Sequence, residues 1–520
     1  MRKYFNTEGI CYPDEHYMVN IDERLEEIMK YITARKYFVI NRARQYGKTT
    51  TLSLLANKLK ADYVVFPLSF EGIGNSAYAD EYAFCRMIYR LFYDALYYGE
   101  TEHVPDSIKD HCKVMSAESG KSDFNDLSEF ISTLCQEVTK PVIMMIDEVD
   151  QASNHDIFLA FLGMLRAKYL KRRSRPTFHC VILAGVYDIK NLKSKIREET
   201  DHQYNSPWNV AAKFDMDMSF SAKDIERMLA EYEADCNTGM NLSEISVMIY
   251  NYTSGYPFLV SRICQMADEE LKNWTPDGIR EAVKRILAEN NTLFDDMRKK
   301  ISDFPELRQM LYAILFTGKS FPFNLDNYVM NIASMFGFIK EQNGMMAIAN
   351  RIFETRLYNL FMSEEMLDNA TYKKALLDKN QFVVNGSLDV DLILQKFMEH
   401  FHEVYSDNTD KFVEENGRRL FLLYLKPIIN GTGNYYVEAR TRDLRRTDVI
   451  IDYLGKQYVI EIKIWHGKEY NARGEEQLFG YLEDYHLDKG YLLSFNFNKK
   501  KQVGMQEINY RGKTIVEVVI

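Results

Sequence analysis

The run Tyr-Phe-Val-Ile-Asn at 37–41 leads through Arg42-Ala-Arg-Gln-Tyr46 into Gly47-Lys48-Thr49-Thr50, and a helical pattern then continues through Leu59. Strand, glycine turn and helix in that order open a βαβ unit, which requires a parallel sheet with helices on both faces. Further apolar runs at 62–70, 142–146, 178–184 and 214–218 predict the other strands, and an amphipathic helix is predicted over 21–35. The expected fold class is therefore α/β.

A sheet of this kind does not use up 520 residues, and about 150 residues per domain predicts three or four units. From Ser221 to about Asn290 the pattern is almost wholly helical and contains Ser254-Gly255-Tyr256-Pro257-Phe258 between two helices, which reads as a small lid. Helices near 306–316 and 324–336 precede two short strands over 337–349, the order of a winged helix. A polar stretch over 363–390 reads as a linker, and the last 130 or so residues form their own unit. The 24 methionines are spread over apolar faces as core filler.

Charge limits the partners. With a net charge of −10 and a pI near 5.7, nucleic-acid contact has to be local, through basic clusters at 168–175, 440–446 and 499–501. The seven cysteines are scattered, odd in number and form no C-x-x-C pair, which argues against a disulfide framework or zinc site. No signal-like N-terminus and no long apolar stretch occurs, so a cytoplasmic protein without membrane partners is expected.

Two segments carry phosphate chemistry. At a strand-to-helix turn, free N–H groups and the helix dipole favour an anion. Gly47 allows close backbone approach, Lys48 reaches the β/γ oxygens of a nucleotide, the Thr49 hydroxyl ligates Mg2+, and Thr50 completes the expected nucleotide-binding set. The apolar run Ile-Met-Met-Ile at 143–146 ends in Asp147-Glu148; Asp147 suits the Mg2+ shell and Glu148 suits polarising the attacking water. The full pattern G-x-x-x-x-G-K-[ST] would put glycine where Arg42 stands. Near the other end, Asp448 and Glu461-Ile-Lys463 fall on two predicted adjacent strands, with Glu461 and Lys463 on one face. Cutting a phosphodiester requires carboxylates to hold Mg2+, here Asp448 and Glu461, and a lysine to orient water or offset charge, here Lys463.

Residues 1–290 resemble the prokaryotic AAA-ATPase-like family on Asn41-Arg-Ala-Arg-Gln-Tyr-Gly-Lys-Thr49, in which a missing first glycine is typical. Gly255-Tyr256-Pro257 is similar to the Gly-hydrophobic-Pro element of STAND and origin-recognition ATPases. That resemblance implies a P-loop NTPase sheet with ATP as cofactor, places the strand ending at 183–188 between the P-loop and Walker B strands, and assigns phosphate contacts to Arg42 and Arg44. The usual polar sensor residue is not evident on that strand, and the cluster at 171–175 is in line to be an arginine finger for a neighbour in a homo-oligomer. Residues 412–495 resemble the PD-(D/E)XK nuclease superfamily. The resemblance implies a helical glutamate at Glu415, with Glu414 as the competing choice, Asp448 as the first carboxylate, Glu461-Ile-Lys463 as the D/E-x-K, and Gln477 with Tyr481 as the Gln-x-x-x-Tyr.

The expected architecture is an ATPase domain over 1–220, a helical lid over 221–298, a winged helix over 299–362, a linker over 363–390, and a restriction-endonuclease-like α/β domain over 391–520. The expected function is an ATP-binding and ATP-hydrolysing protein whose nucleotide state gates a Mg2+-dependent DNA nuclease. The alternative is a STAND-type switch whose nuclease-like domain is silent and binds nucleic acid or a protein.

Overall fold

The computed structural model describes residues 2–117, 121–186, 208–214, 216–316, 321–365, 381–384, 386–404, 414–429, 433–437, 448–465, 468–498 and 501–520. The chain divides into two compact units. One comprises Met1–Ser246, Gly255–Gln265 and Met335–Gly337, and the other Val247–Ser254, Met266–Ser334 and Phe338–Ile520. The division falls inside the stretch expected to form a single lid.

The first unit runs α1 (Asp22–Thr33), β1 (Phe38–Asn41), α2 (Lys48–Leu59), β2 (Val64–Ser69), α3 (Glu81–Tyr97), α4 (Asp106–Met115), α5 (Phe124–Glu137), β3 (Val142–Asp147), α6 (Asp156–Leu170), β4 (Cys180–Gly185) and α7 (Ala222–Cys236). Its four strands lie in the order β1-β4-β3-β2, and every neighbouring pair is parallel. Both β3 and β4 are buried along their whole length, as central strands covered on both faces must be. Each fully buried Ile, Val or Met there contributes roughly 1.5–3 kcal/mol. Pairing of Asn41 with Gly185 and of Ser69 with Asp147 brings the strand ends to one edge of the sheet. Open parallel sheets bind ligands at that edge.

The strand expected at 214–218 does not form among the described residues. Only Ala212 bridges to Phe38. The carbonyls of Met216, Met218 and Ser219 accept instead from the guanidiniums of Arg42 and Arg24, so side chains take the acceptors that a neighbouring strand would use.

α8 (Leu242–Thr253) and α9 (Pro257–Gln265) flank the Gly255 turn. The second unit continues through α10 (Pro276–Ala288), α11 (Thr292–Asp303), α12 (Pro305–Phe316), α13 (Tyr328–Met335), the hairpin β5 (Ile339–Gln342) and β6 (Met345–Ile348), and α14 (Arg351–Glu365). Asn343 and Gly344, with φ of 52° and 75°, make the hairpin turn, the pairing that a two-residue I′ turn favours. The stretch expected to be a linker includes the end of α14 and a small hairpin, β7 (Val383–Val384) and β8 (Ser387–Leu388). Phe382 and Leu388 are buried.

α15 (Val390–Val404) and α16 (Glu414–Ile429) precede β9 (Gly433–Val437), β10 (Asp448–Tyr453), β11 (Lys456–Ile464), α17 (Lys468–Asp484), β12 (Lys489–Phe495), β13 (Gly504–Tyr510) and β14 (Lys513–Val519). The six strands form one mixed sheet in the order β13-β14-β12-β11-β10-β9. Gly417 lets α16 press on β12, because a Cβ there would lie 2.3 Å from the Phe495 ring. The preceding helices share this unit's core: Asn359 Oδ1 on α14 accepts from Lys426 Nζ at 2.8 Å and from Tyr435 OH at 3.2 Å, and Arg419 donates to Tyr312 OH on α12 at 2.9 Å. Among the described residues no helix is long and apolar enough to cross a membrane. None of the seven cysteines is in a disulfide.

Candidate functional site

The loop between β1 and α2 turns twice in the left-handed region, at Gln45 (φ 55°) and Gly47 (φ 76°). Arg42 lies outside that region, so this backbone has no need of glycine there. The Arg42 side chain donates to the carbonyls of Asn41 and Met216 and lies over the Phe214 ring, which joins the loop to the segment after β4. Arg44 is exposed.

Lys48 is buried, with Nζ donating to the carbonyls of Arg42 at 3.1 Å and Ala43 at 3.0 Å. Burial lowers its pKa, and the carboxylates of Asp150, Glu148 and Asp147 oppose that shift. The Thr49 hydroxyl donates to Asp147 Oδ2 at 2.6 Å, so the two groups expected to serve Mg2+ touch although about a hundred residues separate them. Among the described residues no three His, Cys, Asp or Glu side chains are grouped so that they could hold a metal ion by themselves. A hydroxyl and a carboxylate still fit Mg2+, which keeps several waters and takes only one or two carboxylates. Glu148 sits at φ 51°, a strained position for a non-glycine residue. Burial raises its pKa above 4.5, and Lys48 is the largest opposing influence.

A cavity of ≈ 360 Å³ opens beside Gly47, Thr50 and Thr51, within the size range of small-molecule sites. Its wall includes Asn6 and Cys11 of the N-terminal segment, and Phe258 and Ser261 of α9. Thr50 Oγ1 accepts from the Cys11 N–H at 3.1 Å, and Thr7 Oγ1 donates to Gln265 Oε1 at 3.2 Å, so the segment bridges α2 and α9. Nothing in the sequence marked residues 6–11 for this wall.

The Gly255 turn holds the other side. Tyr256 OH donates to the Arg44 carbonyl, and its ring meets Tyr46 edge-on at 4.7 Å. Phe220 N–H donates to Gly255 O at 2.8 Å. A Cβ on Gly255, at φ +73°, would lie 1.9 Å from Phe220 O. Gly255→Ala is therefore expected to displace Tyr256 and Phe258 and to weaken nucleotide binding by at least about tenfold, or 1.4 kcal/mol. Calorimetric titration with ATP checks this, and wild-type affinity would show that the turn does not shape the site.

The sequence profile of the family described as an AAA-like domain matches residues 19–363. The chain belongs to the AAA-like domain family. No curated protein matches it in sequence. The Walker-type ATPase PABY2304 of Pyrococcus abyssi is similar to this chain at 11% identity, covering 68% of this chain and 99% of that one, with a TM-score of 0.45. The ORC2 protein of Aeropyrum pernix in its ADP form is similar at 13% identity, covering 69% and 97%, with a TM-score of 0.38. The ORC1 protein of Aeropyrum pernix in complex with DNA is similar at 11% identity, covering 66% and 93%, with a TM-score of 0.30. Membership rests on the profile match and not on these likenesses.

In the AAA-like domain the basic turn after α6 precedes β4, at the edge of the sheet away from the P-loop. Lys168 Nζ donates to Ser128 O at 2.7 Å and Ser132 Oγ at 2.6 Å, and the Arg172 guanidinium lies 3.9 Å over the Tyr169 ring.

The C-terminal acids lie in the second unit. β10 and β11 are adjacent and antiparallel, with Asp448 opposite Glu461. Lys463 Nζ lies 2.6 Å from Glu461 Oε1 and donates to Gln477 Oε1 on α17 at 3.3 Å. Gln477 Nε2 donates to Tyr481 OH at 3.4 Å. Glu461 is 0% and Lys463 4% exposed. Pairing places Leu492 beside Glu461 and Glu517 beside Leu492, so a second buried carboxylate shares this sheet face. Burial and then Glu517 raise the pKa of Glu475 on α17; both acids escaped the sequence reading. The side chains of Asp448, Glu414 and Glu415 lie outside the described residues, as do 440–446 and 499–500.

A winged helix over 299–362 would offer a helix to a DNA groove. α13 carries no Lys or Arg. Lys340 on β5 donates to Ser254 Oγ at 2.8 Å and feels Glu354, while burial lowers its pKa. Phosphate binding needs exposed cations, which this helix and hairpin lack.

Proposed function

We propose that the AAA-like domain binds and hydrolyses ATP, and that its nucleotide state gates a Mg2+-dependent DNA nuclease in the C-terminal α/β unit. The observation that carries the nucleotide reading is the contact of Thr49 with Asp147 beside buried Lys48. A hydroxyl, a carboxylate and an ammonium at the strand ends are what a nucleoside triphosphate with its metal requires. Lys48 exchanges two carbonyls for phosphate oxygens, Arg44 adds charge from the exposed side, and the apolar part of the cavity by Phe258 suits a base. Mg2+, held through Thr49 and Asp147, would neutralise charge on the phosphates. Glu148 takes the proton of the attacking water, a role favoured by a carboxyl pKa raised toward neutrality.

Lys48→Ala tests this reading. Hydrogen bonds to charged groups contribute about 1.5–3 kcal/mol, so ATP affinity is expected to fall about 10- to 100-fold. Unchanged affinity by calorimetry would remove the nucleotide reading.

The nuclease reading is supported by the opposition of Asp448 and Glu461 across two strands and by the Glu461–Lys463–Gln477–Tyr481 chain. There Asp448 and Glu461 would hold Mg2+, which lowers the pKa of the attacking water, and Lys463 would orient that water. Burial of the Glu461–Lys463 pair favours a second reading, a STAND-type switch with a silent nuclease-like domain, because an enclosed ion pair does not reach phosphate. A closed state that opens with nucleotide reconciles this burial with gating.

A further inference from the structure

The tip of β4 lies between β1, which leads into the P-loop, and β3, which ends in Asp147, yet Gly185 gives it no side chain. A neighbour fills the space: a Cβ at Gly185 would lie 2.8 Å from Asp150 Oδ1 and 2.9 Å from Val149 Cγ2. Asp150 Oδ2 accepts from the Val186 N–H at 2.5 Å, a charge-assisted bond of the strong kind. Asp150 belongs to the short 3-10 turn Val149–Ala152, entered through left-handed Glu148. It is also foremost among the carboxylates that offset the burial of Lys48. One carboxylate thus joins the turn that carries Glu148 to the end of the strand beside the P-loop, within the field of the P-loop lysine.

We propose that Asp150 is a positioning residue that ties the tip of β4 to the Glu148 turn, so that this edge of the sheet responds to the terminal phosphate of a nucleoside triphosphate. The proposal rests on the nucleotide reading above. Glycine at 185 is then required by the tie itself, since any side chain would displace the Asp150 carboxylate. The phosphate enters between Lys48 and Glu148, and a shift of either reaches β4 through Asp150.

The test compares ADP with ATPγS, each with Mg2+, on the full chain by calorimetric titration. Asp150→Ala and Gly185→Ala should keep ADP affinity within about threefold and lose the wild-type preference for ATPγS by about tenfold. Asp150→Asn, which keeps an oxygen acceptor for Val186, should retain that preference. A preference unchanged in both alanine variants would overturn the proposal. So would an asparagine variant as defective as Asp150→Ala, because charge rather than the tie would then matter. Loss of ADP binding in both alanine variants would make the contact structural only. A wild-type chain that binds neither nucleotide would remove the nucleotide reading and this inference with it.

Discussion

DNA cleavage in the presence of Mg2+ is expected to fall by about 100-fold or more on replacing Asp448 with asparagine. The substitution removes a candidate metal carboxylate and changes the side chain's size very little. Lys463→Ala should also abolish cutting, but it is a less informative variant. Its ammonium lies 2.6 Å from a Glu461 carboxylate that is 0% exposed. Removing one partner of a buried pair leaves an uncompensated charge and costs about 3–5 kcal/mol, so lost activity would be confounded with lost stability. Asp448→Asn should melt within a few degrees of wild type. Labelled linear and circular DNA, incubated with Mg2+ or Mn2+ and with or without ATP, provides the measurement. Cutting that survives in Asp448→Asn would place the chemistry elsewhere. Absence of cutting by the wild type under every condition, with DNA still bound, would leave the switch reading.

Glu148→Gln is expected to lower ATP turnover by about 10²–10⁴-fold, the contribution typical of a general base, while leaving ATP affinity close to wild type. The amide keeps the size of the side chain and gives up only its ability to take a proton. The pH dependence supplies a second readout. Burial raises the Glu148 pKa above 4.5, and the base works only when ionised. Turnover should therefore be full above the raised pKa and decline as pH falls through it, with the acid limb above that of an ordinary glutamate. Steady-state phosphate release across pH checks both points. A glutamine variant that hydrolyses ATP at the wild-type rate would assign the base to another residue.

Much of the fold is legible in the sequence because it depends on local patterns. Apolar continuity marks the runs at 37–41, 62–70, 142–146 and 178–184 as strands, and each overlaps a strand of the buried parallel sheet. Their order, with β4 between β1 and β3, followed from the resemblance of 1–290 to a family. The run at 214–218 alternates acidic and apolar residues and so mimics a half-buried strand; the competing donors, Arg24 and Arg42, are far away in sequence and give no local warning. The candidate residues Lys48, Thr49, Asp147, Glu461 and Lys463 were legible because charged or hydroxyl groups stand at the ends or edges of apolar runs.

By itself the sequence determined the parallel sheet, the glycine–lysine–threonine turn and the spacing of Glu461 and Lys463, since periodicity and turn chemistry act over a few residues. Only the tertiary structure decided that Thr49 meets Asp147, that residues 6–11 wall the cavity, that the Lys463 pair is closed under α17, and that Asp150 occupies the space left by Gly185. Those contacts join groups from different elements, and side-chain packing rather than local propensity brings them within hydrogen-bonding distance.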